Sequence, residues 1–509
     1  MGEPVFLAVD AGTTRLKAAL LDARGRQRDQ AGASLPPSYP FDGASEMDME
    51  AVWDALCGLT RMLAERNPGS WPDLAGMAIA GQGDGLWPVD RGGRPVRPAI
   101  LWNDTRAKRL DLPDLPELQR YCAGHGVTPL FSGAMPLLLL WLRRQEPEQY
   151  ARIHRALHCK DWLNYRLTGE LATDFSDAST AVLDVAEGRY DPGLLERLDL
   201  PGALGLLPEP RPSSAPLGRV TAAAAARTGL PPGLQVMAGA LDVAAVAEGA
   251  GAVHSGSAVT IVGTTLCNEV VVGPGQAPNA DGLGSTLCHV RPELYLRLMA
   301  TSSGTSSLDW ARALAAPGLS FAQVEAELAR IPPGCDGALF HPYLHGERAP
   351  FRNALACAGF YGLTALHTPM HLLRAAYEGL ALSFHDCLRH LPQVGELAVT
   401  GGGAASDLLC QMFADCLERP VRRPGFPELG LAGAARLVWA GLGFAGEMPL
   451  EEPMPARVFA PDAGRHAVYE RMYALSVDLR AGLEPYWRAR EDMLSGASGP
   501  PAGHRKGWG

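Results

Sequence analysis

Two short Gly-Thr-Thr segments, each set between two apolar runs, are the first candidates for chemistry in this 509-residue chain. The first, residues 12–14, separates VFLAVDA from RLKAALLD, and the second, residues 263–265, separates SAVTIV from LCNEVVV. Such a hairpin tip directs several backbone N–H groups and two hydroxyls to one point, which makes a nest for an anion. The pair predicts a triphosphate held from two sides, although either tip alone also fits an ordinary hairpin turn.

Asp10 ends the apolar run that leads into the first tip. A bare carboxylate beside a phosphate nest would repel the phosphate, so its position implies a cation between the two. Mg²⁺ suits this position because it keeps several waters and takes only one or two carboxylates together with phosphates. The alternative is that Asp10 only satisfies the turn that follows it.

Asp242 is the second candidate carboxylate and lies in the segment QVMAGALDVAAVAEGA. The pattern predicts a short strand, a turn of small residues and a helix that begins near Leu241. In the first turn of that helix the positive end of the helix dipole favours an ionised carboxylate. Asp242 therefore fits a proton acceptor in phosphoryl transfer, and the alternative is a plain helix cap.

The elements that must position these residues alternate between strand and helix. Apolar residues recur on one helical face in 371–384 and again in 406–417, where Ser406 is a suitable N-cap. Together with the two strand hairpins this predicts an α/β architecture. The return of the hairpin pattern after about 250 residues predicts two related domains with a boundary within 245–256.

Composition excludes several classes of protein. The formal net charge of −10 disfavours nucleic acid as a partner, and the ten cysteines contain no CxxC pair that would indicate zinc. The cysteines are interpreted as reduced thiols of a cytoplasmic protein. The N-terminus lacks a signal-peptide pattern, and the longest aliphatic run, at 137–140 and extended by Trp141 and Leu142, is too short to span a membrane.

Six segments in order resemble the FGGY family of carbohydrate kinases over about residues 5–485. They are DAGTTRLK, DWLNYRLTGELATDFSDAS, ALDVAAVAEGAG, VGTT, PYLHGERAPF with GFYGLT, and GGGAASDLLCQMFADCLERPV. The resemblance implies two actin-like, ribonuclease-H-like ATPase domains flanking a cleft. We expect residues 1–248 to form the sugar-binding domain, 249–488 the ATP-binding domain, and 489–509 a flexible tail.

The resemblance also implies roles for individual residues. Asp242 falls on the catalytic aspartate, and Asp10 on the residue that assists the Mg²⁺–phosphate centre. The phosphate and nucleotide contacts implied are Thr13, Thr14, Gly263, Thr264, Thr265, Gly304, Gly402, Gly403 and Ser406. ATP and Mg²⁺ are therefore the expected cosubstrate and metal, and a homodimer is an assembly that the family suggests.

The expected substrate loop is AGQGDGLWPVD, with Gln82, Gly83 and Asp84 at its centre. D-xylulose kinases typically carry methionine and histidine at the last two of these positions, so the loop looks closer to erythritol and L-xylulose kinases. A carboxylate accepts hydrogen bonds from neighbouring hydroxyls, and a glycine beside it is expected to open space.

The segment LWNDTRA resembles a second sugar-contacting segment, with Trp102, Asp104 and Arg106 as candidates. The alternative is a core tryptophan and an Asp–Arg pair. No role follows from the sequence for Lys160 or His345.

The sequence thus predicts ATP-dependent phosphorylation of a hydroxyl on a small sugar or sugar alcohol, of the ketopentose or tetritol class. D-xylulose kinase activity is the narrower alternative. A catalytically silent sugar-binding regulator and an actin- or chaperone-like ATPase are the alternatives from other classes.

Overall fold

The computed structural model describes residues 3–112, 114–276 and 282–496. Within those ranges no helix combines the length and the apolar character that crossing a bilayer requires. All ten cysteines are free thiols.

The first half of the chain is built on a seven-stranded sheet with the order β13-β14-β5-β1-β2-β3, in which β15 also pairs with β5. The strands of this half, including those outside the seven-stranded sheet, are β1 (Val5–Ala11), β2 (Arg15–Asp22), β3 (Gln27–Ser34), β4 (Glu46–Met47), β5 (Leu74–Gly81), β6 (Trp87–Val89), β7 (Ala99–Ile100), β8 (Arg155–Leu157), β9 (Ala172–Asp174), β10 (Leu183–Asp184), β11 (Arg189–Tyr190), β12 (Glu209–Arg211), β13 (Pro216–Arg219), β14 (Gln235–Met237) and β15 (Ala240–Leu241). Its helices are α1 (Met49–Arg66), α2 (Leu115–Gly124), α3 (Met135–Gln145), α4 (Pro147–Arg152), α5 (Cys159–Thr168), α6 (Phe175–Ala178), α7 (Pro192–Arg197), α8 (Ala222–Thr228) and α9 (Asp242–Ala250).

The second half repeats the plan with a seven-stranded sheet of order β18-β19-β17-β16-β22-β23-β24. The strands of this half, including the separate pair β20 and β21, are β16 (Ala258–Val262), β17 (Leu266–Val272), β18 (Ser285–Cys288), β19 (Tyr295–Ala300), β20 (Leu339–His341), β21 (Gly359–Tyr361), β22 (Leu397–Thr400), β23 (Val421–Arg423) and β24 (Arg457–Phe459). Its helices are α10 (Thr305–Ala315), α11 (Phe321–Leu328), α12 (Pro369–Arg389), α13 (Asp407–Leu417), α14 (Leu429–Gly441) and α15 (Ala463–Gly496).

Both predicted hairpins form. In each sheet the leading strand pairs antiparallel with the next, β1 with β2 and β16 with β17. Each leading strand also pairs in parallel with a strand that comes later in the chain, β1 with β5 and β16 with β22. Parallel neighbours end at the same edge of a sheet, so the loops that follow them are brought together there.

Two helices join the halves. Helix α14 packs on α9, and it also lies against β1 and β5 of the first sheet. A side chain at Gly249 or Gly433 would collide with the backbone of the other helix, since its Cβ would lie 2.0 Å from the Leu429 oxygen or 1.9 Å from the Ala245 oxygen. Glycine at both positions therefore allows the two backbones to touch.

Two boundaries predicted from the sequence, at 248/249 and at 489, lie within helices. The predicted domain boundary at 248/249 falls in the last turn of α9 and stays a prediction. Residues 489–496, the first part of the predicted flexible tail, continue α15, and the flexibility of the tail stays a prediction. This helix is anchored nearby by Trp487, which is 1% exposed and packs edge-on against Tyr343. Residues 497–509 lie outside the described ranges.

Candidate active site

Three parallel strands end side by side at one edge of the first sheet. On β5, Ala80 has Asp10 of β1 as its partner on one side and Ala240 of β15 on the other. Because adjacent strands lie about 4.8 Å apart, β1 and β15 are separated by about 10 Å. Asp242 follows Ala240 by two residues, so both candidate carboxylates stand at this edge.

Asp10 is half-buried, and neither of its oxygens accepts a hydrogen bond from any residue that the structure describes. Burial raises its pKa to about 6, Lys17 opposes the rise, and Glu428 adds to it. The Lys17 ammonium donates to Glu428 at 2.6 Å, so its charge is already shared. The carboxylate of Asp10 is thus left without a full counter-charge.

Asp242 is the first residue of α9, as the sequence predicts. One of its oxygens, Oδ1, accepts the backbone N–H of Val243 at 2.7 Å. The expectation that the helix start keeps this carboxyl ionised is not met in the protein alone. Burial, and after it the charge of Asp10, raises the pKa of Asp242 to about 8.

Three side chains at this edge are linked by hydrogen bonds. The indole Nε1 of Trp102 donates to Thr13 Oγ1 at 2.9 Å, and Thr13 Oγ1 donates to Gln82 Oε1 at 3.1 Å. The sequence assigns Thr13 to phosphate and the other two to substrate. In the structure the Thr13 hydroxyl is hydrogen-bonded to both Trp102 and Gln82, whereas Thr14 is exposed at the tip.

Gly83 does not open space, contrary to the expectation from sequence. A Cβ on Gly83 would lie 2.1 Å from Leu241 Cδ1 and 3.2 Å from Asp177 Oδ1. The room that glycine leaves is filled by Leu241, the residue directly before Asp242. Gly83 therefore lets the substrate loop pack against the start of α9.

Asp84 adopts the left-handed backbone region with φ of 53°, which Asp tolerates better than most residues. Its Oδ1 is buried and has no hydrogen-bond partner among the described residues. Burial raises the pKa of Asp84 to about 7; His158 and Arg348 oppose the rise, and Asp177 adds to it. An unpartnered carboxyl oxygen of this kind is suited to accept a ligand hydroxyl.

Asp104 and Arg106 follow the alternative interpretation. Asp104 is fully buried and its Oδ2 accepts the N–H of Ser45 at 2.7 Å, while its Oδ1 accepts Nε of Arg106 at 2.9 Å. Arg106 also pairs with Glu46 at 2.6 Å. With both carboxylate oxygens bonded, this pair holds the loop that carries Trp102 and offers no acceptor to a substrate.

Arg348, in the segment PYLHGERAPF, was missed by reasoning from sequence. Its guanidinium reaches from the second domain over the Trp102 ring, 6.0 Å from the ring centroid. Its Nε donates to the backbone oxygen of Ala300 at 2.9 Å, and the side chain is only partly buried. Since the sequence motif around it was recognised, its charge was the signal that could have singled it out.

The second tip is closely packed against the start of α10. The N–H of Gly263 donates to the Thr265 oxygen at 3.0 Å, and the Gly263 oxygen accepts from Thr305 at 2.8 Å. A Cβ on Gly304 would lie 2.5 Å from the Gly263 oxygen. Thr264 remains exposed at the tip.

The predicted nucleotide segment lies against the same tip. A Cβ on Gly403 would approach Val262 within 2.4 Å and Thr305 within 2.7 Å, whereas one on Gly402 would meet nothing within 4 Å. Ser406 caps α13 as predicted, since its Oγ accepts the N–H of Leu409 at 3.0 Å. The Ser406 hydroxyl also donates to Glu325 at 2.6 Å, so its hydrogen is already used.

Lys160 has a clear place in the structure. Its ammonium is completely buried and lies 2.6 Å from Asp161 and 2.9 Å from both Asp174 and Asp177. Oxygen and nitrogen atoms of His158, Asp161 and Asp177 are close enough to suggest a metal site. The ammonium already supplies the cation there, so we interpret the group as an internal ion cluster. His345 is exposed.

A divalent cation fits the residues around Asp10. The carboxylate is partly accessible and accepts no hydrogen bond from a described residue, and after burial its negative charge is the next cause of the raised pKa of Asp242. Hard oxygen ligands with room for water are what Mg²⁺ takes in proteins.

Comparison with known proteins is decisive at the level of the family. The model of the N-terminal domain of the FGGY family of carbohydrate kinases matches residues 5–249, and that of its C-terminal domain matches residues 258–441. The chain belongs to the FGGY family of carbohydrate kinases. It is thus an ATP-dependent kinase of a small carbohydrate, with the actin-like fold expected from the sequence.

Several relatives are similar over nearly the whole FGGY chain. The erythritol kinase of Brucella abortus is 32% identical, covering 95% of this chain and 97% of its own. The L-xylulose/3-keto-L-gulonate kinase of Escherichia coli is 30% identical, covering 96% and 99%. The crystal structure of xylulose kinase from Rhodospirillum rubrum superposes with a TM-score of 0.85 at 29% identity, covering 95% of this chain and all of that one.

Proposed function

We propose that this FGGY kinase transfers the γ-phosphoryl group of ATP to a hydroxyl of a ketopentose or tetritol, with Asp242 as general base. The observation that carries the proposal is the placement of Asp10 on β1 and of Asp242 directly after β15, the two strands that flank β5. Because β1 and β15 lie about 10 Å apart, a phosphoryl group and an acceptor hydroxyl would fit between the two carboxylates, beyond the end of β5.

In the proposed mechanism Asp242 accepts the proton of the attacking hydroxyl. Its raised pKa, about 8, makes it a stronger proton acceptor than an ordinary aspartate once it is ionised. Asp10 would hold Mg²⁺, in part through water, and the bound ion would neutralise phosphate charge. The cation would also lower the pKa of Asp242, since it offsets the negative charge of Asp10.

The two tips would bind the phosphates through backbone N–H groups. Thr14 and Thr264 are exposed at the tips, and the open space beside Gly402 suits the nucleoside. Gly263, Thr265, Gly304, Gly403 and Ser406 would contribute mainly by shaping this surface. Phosphoryl transfer of this kind depends chiefly on positioning and electrostatics.

For the substrate we propose a pocket formed by Gln82, Asp84 and Trp102, with Arg348 facing it from the second domain. The buried, unpartnered Oδ1 of Asp84 would accept one of the substrate hydroxyls. The similarity to the erythritol kinase and the L-xylulose kinase supports a tetritol or ketopentose. D-Xylulose remains the specific alternative, since the xylulose kinase of Escherichia coli is 32% identical.

One screen tests this proposal. ADP release would be measured with ATP, Mg²⁺ and in turn pentuloses, hexuloses, tetritols, pentitols and glycerol. We expect the highest kcat/KM for a tetritol or a ketopentose. ADP release that no sugar stimulates would contradict the proposal and favour an ATPase of the actin or chaperone type. A cytoplasmic location remains an expectation from the cysteine pattern, and a homodimer remains one from the family resemblance.

A further inference from the structure

The buried ion cluster around Lys160 lies directly behind the candidate base. Lys160 belongs to the first turn of α5, and its side chain passes beneath the end of β5, where a Cβ on Gly81 would lie 3.0 Å from Lys160 Cβ. None of the roles proposed above uses this lysine. A buried ammonium with three carboxylates is costly to assemble, so its position calls for an explanation.

A continuous set of contacts runs from Lys160 to the base. The ammonium lies 2.9 Å from Asp174 Oδ1, and Asp174 Oδ2 accepts the hydroxyl of Ser176 at 2.6 Å. The same Ser176 oxygen accepts the backbone N–H of Leu241 at 2.9 Å. Leu241 immediately precedes Asp242, so this last bond fixes the backbone from which the carboxylate extends.

The cluster also reaches the substrate loop. Asp177, another partner of Lys160, has its Oδ1 3.2 Å from the position of a Cβ on Gly83. The N–H of Asp84 donates to Thr180 Oγ1 at 3.4 Å, and that hydroxyl lies 3.3 Å from His158 Nε2. Leu241, the residue before the base, and Asp84 of the substrate loop are thus both in contact with one buried group of residues.

We propose that Lys160 is a positioning residue, which through Asp174 and Ser176 holds the backbone N–H of Leu241 so that the carboxylate of the next residue, Asp242, faces the acceptor hydroxyl. Lys160 itself touches neither substrate. The proposal rests on the proposed role of Asp242. It assigns to the cluster a contribution to kcat, because a misplaced base slows transfer without preventing sugar or ATP from binding.

The chain offers a matched pair of variants for the test. Ser176 and Ser213 each donate to Asp174 Oδ2 at 2.6 Å, and both are buried. Only the Ser176 hydroxyl accepts the N–H of Leu241. Each of Ser176→Ala and Ser213→Ala therefore removes a hydroxyl that donates to Asp174 Oδ2, but only Ser176→Ala also releases the backbone N–H of Leu241.

We expect Ser176→Ala to lower kcat about tenfold with sugar and ATP dissociation constants within about twofold of wild type, since a misplaced catalytic group costs one to two orders of magnitude. Ser213→Ala should keep kcat within about twofold, and the two variants should have similar urea midpoints. Equal kcat in the two variants, or a Ser176→Ala kcat like wild type, would overturn the proposal.

Lys160 is tested by a double-mutant cycle. Lys160→Met should lower kcat strongly in the wild-type background and much less in Ser176→Ala, because the hydrogen bond from Leu241 to Ser176 is already absent there. Additive effects of the two substitutions on kcat would overturn the proposal. If Lys160→Met does not fold, the comparison of Ser176→Ala with Ser213→Ala is sufficient to test it. Asp242→Asn is run in parallel. An active Asp242→Asn variant would contradict the proposed role of Asp242 as general base. If Asp242→Asn is inactive and the two serine variants have equal kcat, only the proposed positioning role of Lys160 is contradicted.

Discussion

Asp10 and Asp242 stand on opposite sides of β5: Asp10 is the partner of Ala80 on one edge of that strand, and Ala240, two residues before Asp242, is its partner on the other. Burial, and after it the charge of Asp10, raises the pKa of Asp242, so the two carboxyls also interact electrostatically. A pair of acids that oppose each other across a strand end is stable only at some cost, which a bound cation would remove.

That cost should be visible in the pH dependence of stability. The pKa of Asp242 is about 8 in the folded protein and about 4 when unfolded. Between these values the unfolded chain has already released the proton that the folded protein still holds. The Asp242 carboxyl therefore lowers the free energy of unfolding progressively as pH rises from about 4 to about 8.

Asp242→Asn removes this effect, so we expect its urea midpoint to exceed that of the wild type at pH 8 and to match it near pH 4. The measurement is chemical denaturation in EDTA at both values. A difference that is larger at pH 4 would contradict the raised pKa.

Asp84 should decide which substrate is preferred. We expect Asp84→Asn, which suits the same left-handed backbone, to lower kcat/KM for the preferred polyol about tenfold, since one charged hydrogen bond is lost. Asp84→His should change the ranking of ketoses against alditols. The check is kcat/KM over a panel of both. A uniform loss across the panel would show that Asp84 supports the loop and does not select the substrate.

Gly83 should be needed for the packing of Leu241. Gly83→Ala places a Cβ 2.1 Å from Leu241 Cδ1, and overpacking of this kind costs about 1–3 kcal/mol of unfolding free energy. Because Leu241 precedes the base, kcat should fall as well. Combining Gly83→Ala with Leu241→Ala should restore part of both. A Gly83→Ala variant with normal stability and kcat would show that the loop adjusts freely.

Arg348 should report on contact between the domains. Arg348→Ala removes the guanidinium above Trp102 and a donor to the Ala300 carbonyl, so we expect the sugar KM to rise about tenfold. Arg348→Lys keeps the charge but loses the planar contact with the Trp102 ring, so its sugar KM should lie between those of the wild type and Arg348→Ala. Steady-state kinetics with varied sugar measure this effect, and a change confined to the KM of ATP would place Arg348 outside the sugar pocket.

Much of the framework could be predicted from sequence because local patterns determine it. The strand–tip–strand hairpins, the start of α9 at Asp242 and the cap at Ser406 each depend on residues within a few positions of one another. The helix that includes 489–496 was missed because it is anchored by the contact of Trp487 with Tyr343, two residues that lie far apart in the sequence.

The site contained more that sequence alone does not reveal. Which of several nearby partners a charged side chain chooses depends on distant segments, as with Asp104 and Arg106 or the four-residue cluster around Lys160. Gly83 was misinterpreted because the side chain that fills its space, Leu241, lies more than 150 positions away. Motif resemblance marked the region of Arg348, but only the fold brings it over Trp102.

The most direct test is single-turnover transfer from ATP to the preferred sugar by Asp242→Asn, with sugar and ATP binding measured on the same preparation. We expect a rate of phosphorylation lower by about 10²- to 10⁴-fold, the usual contribution of a general base, with both dissociation constants nearly unchanged. A variant that phosphorylates the sugar at close to the wild-type rate would contradict the proposed role of Asp242.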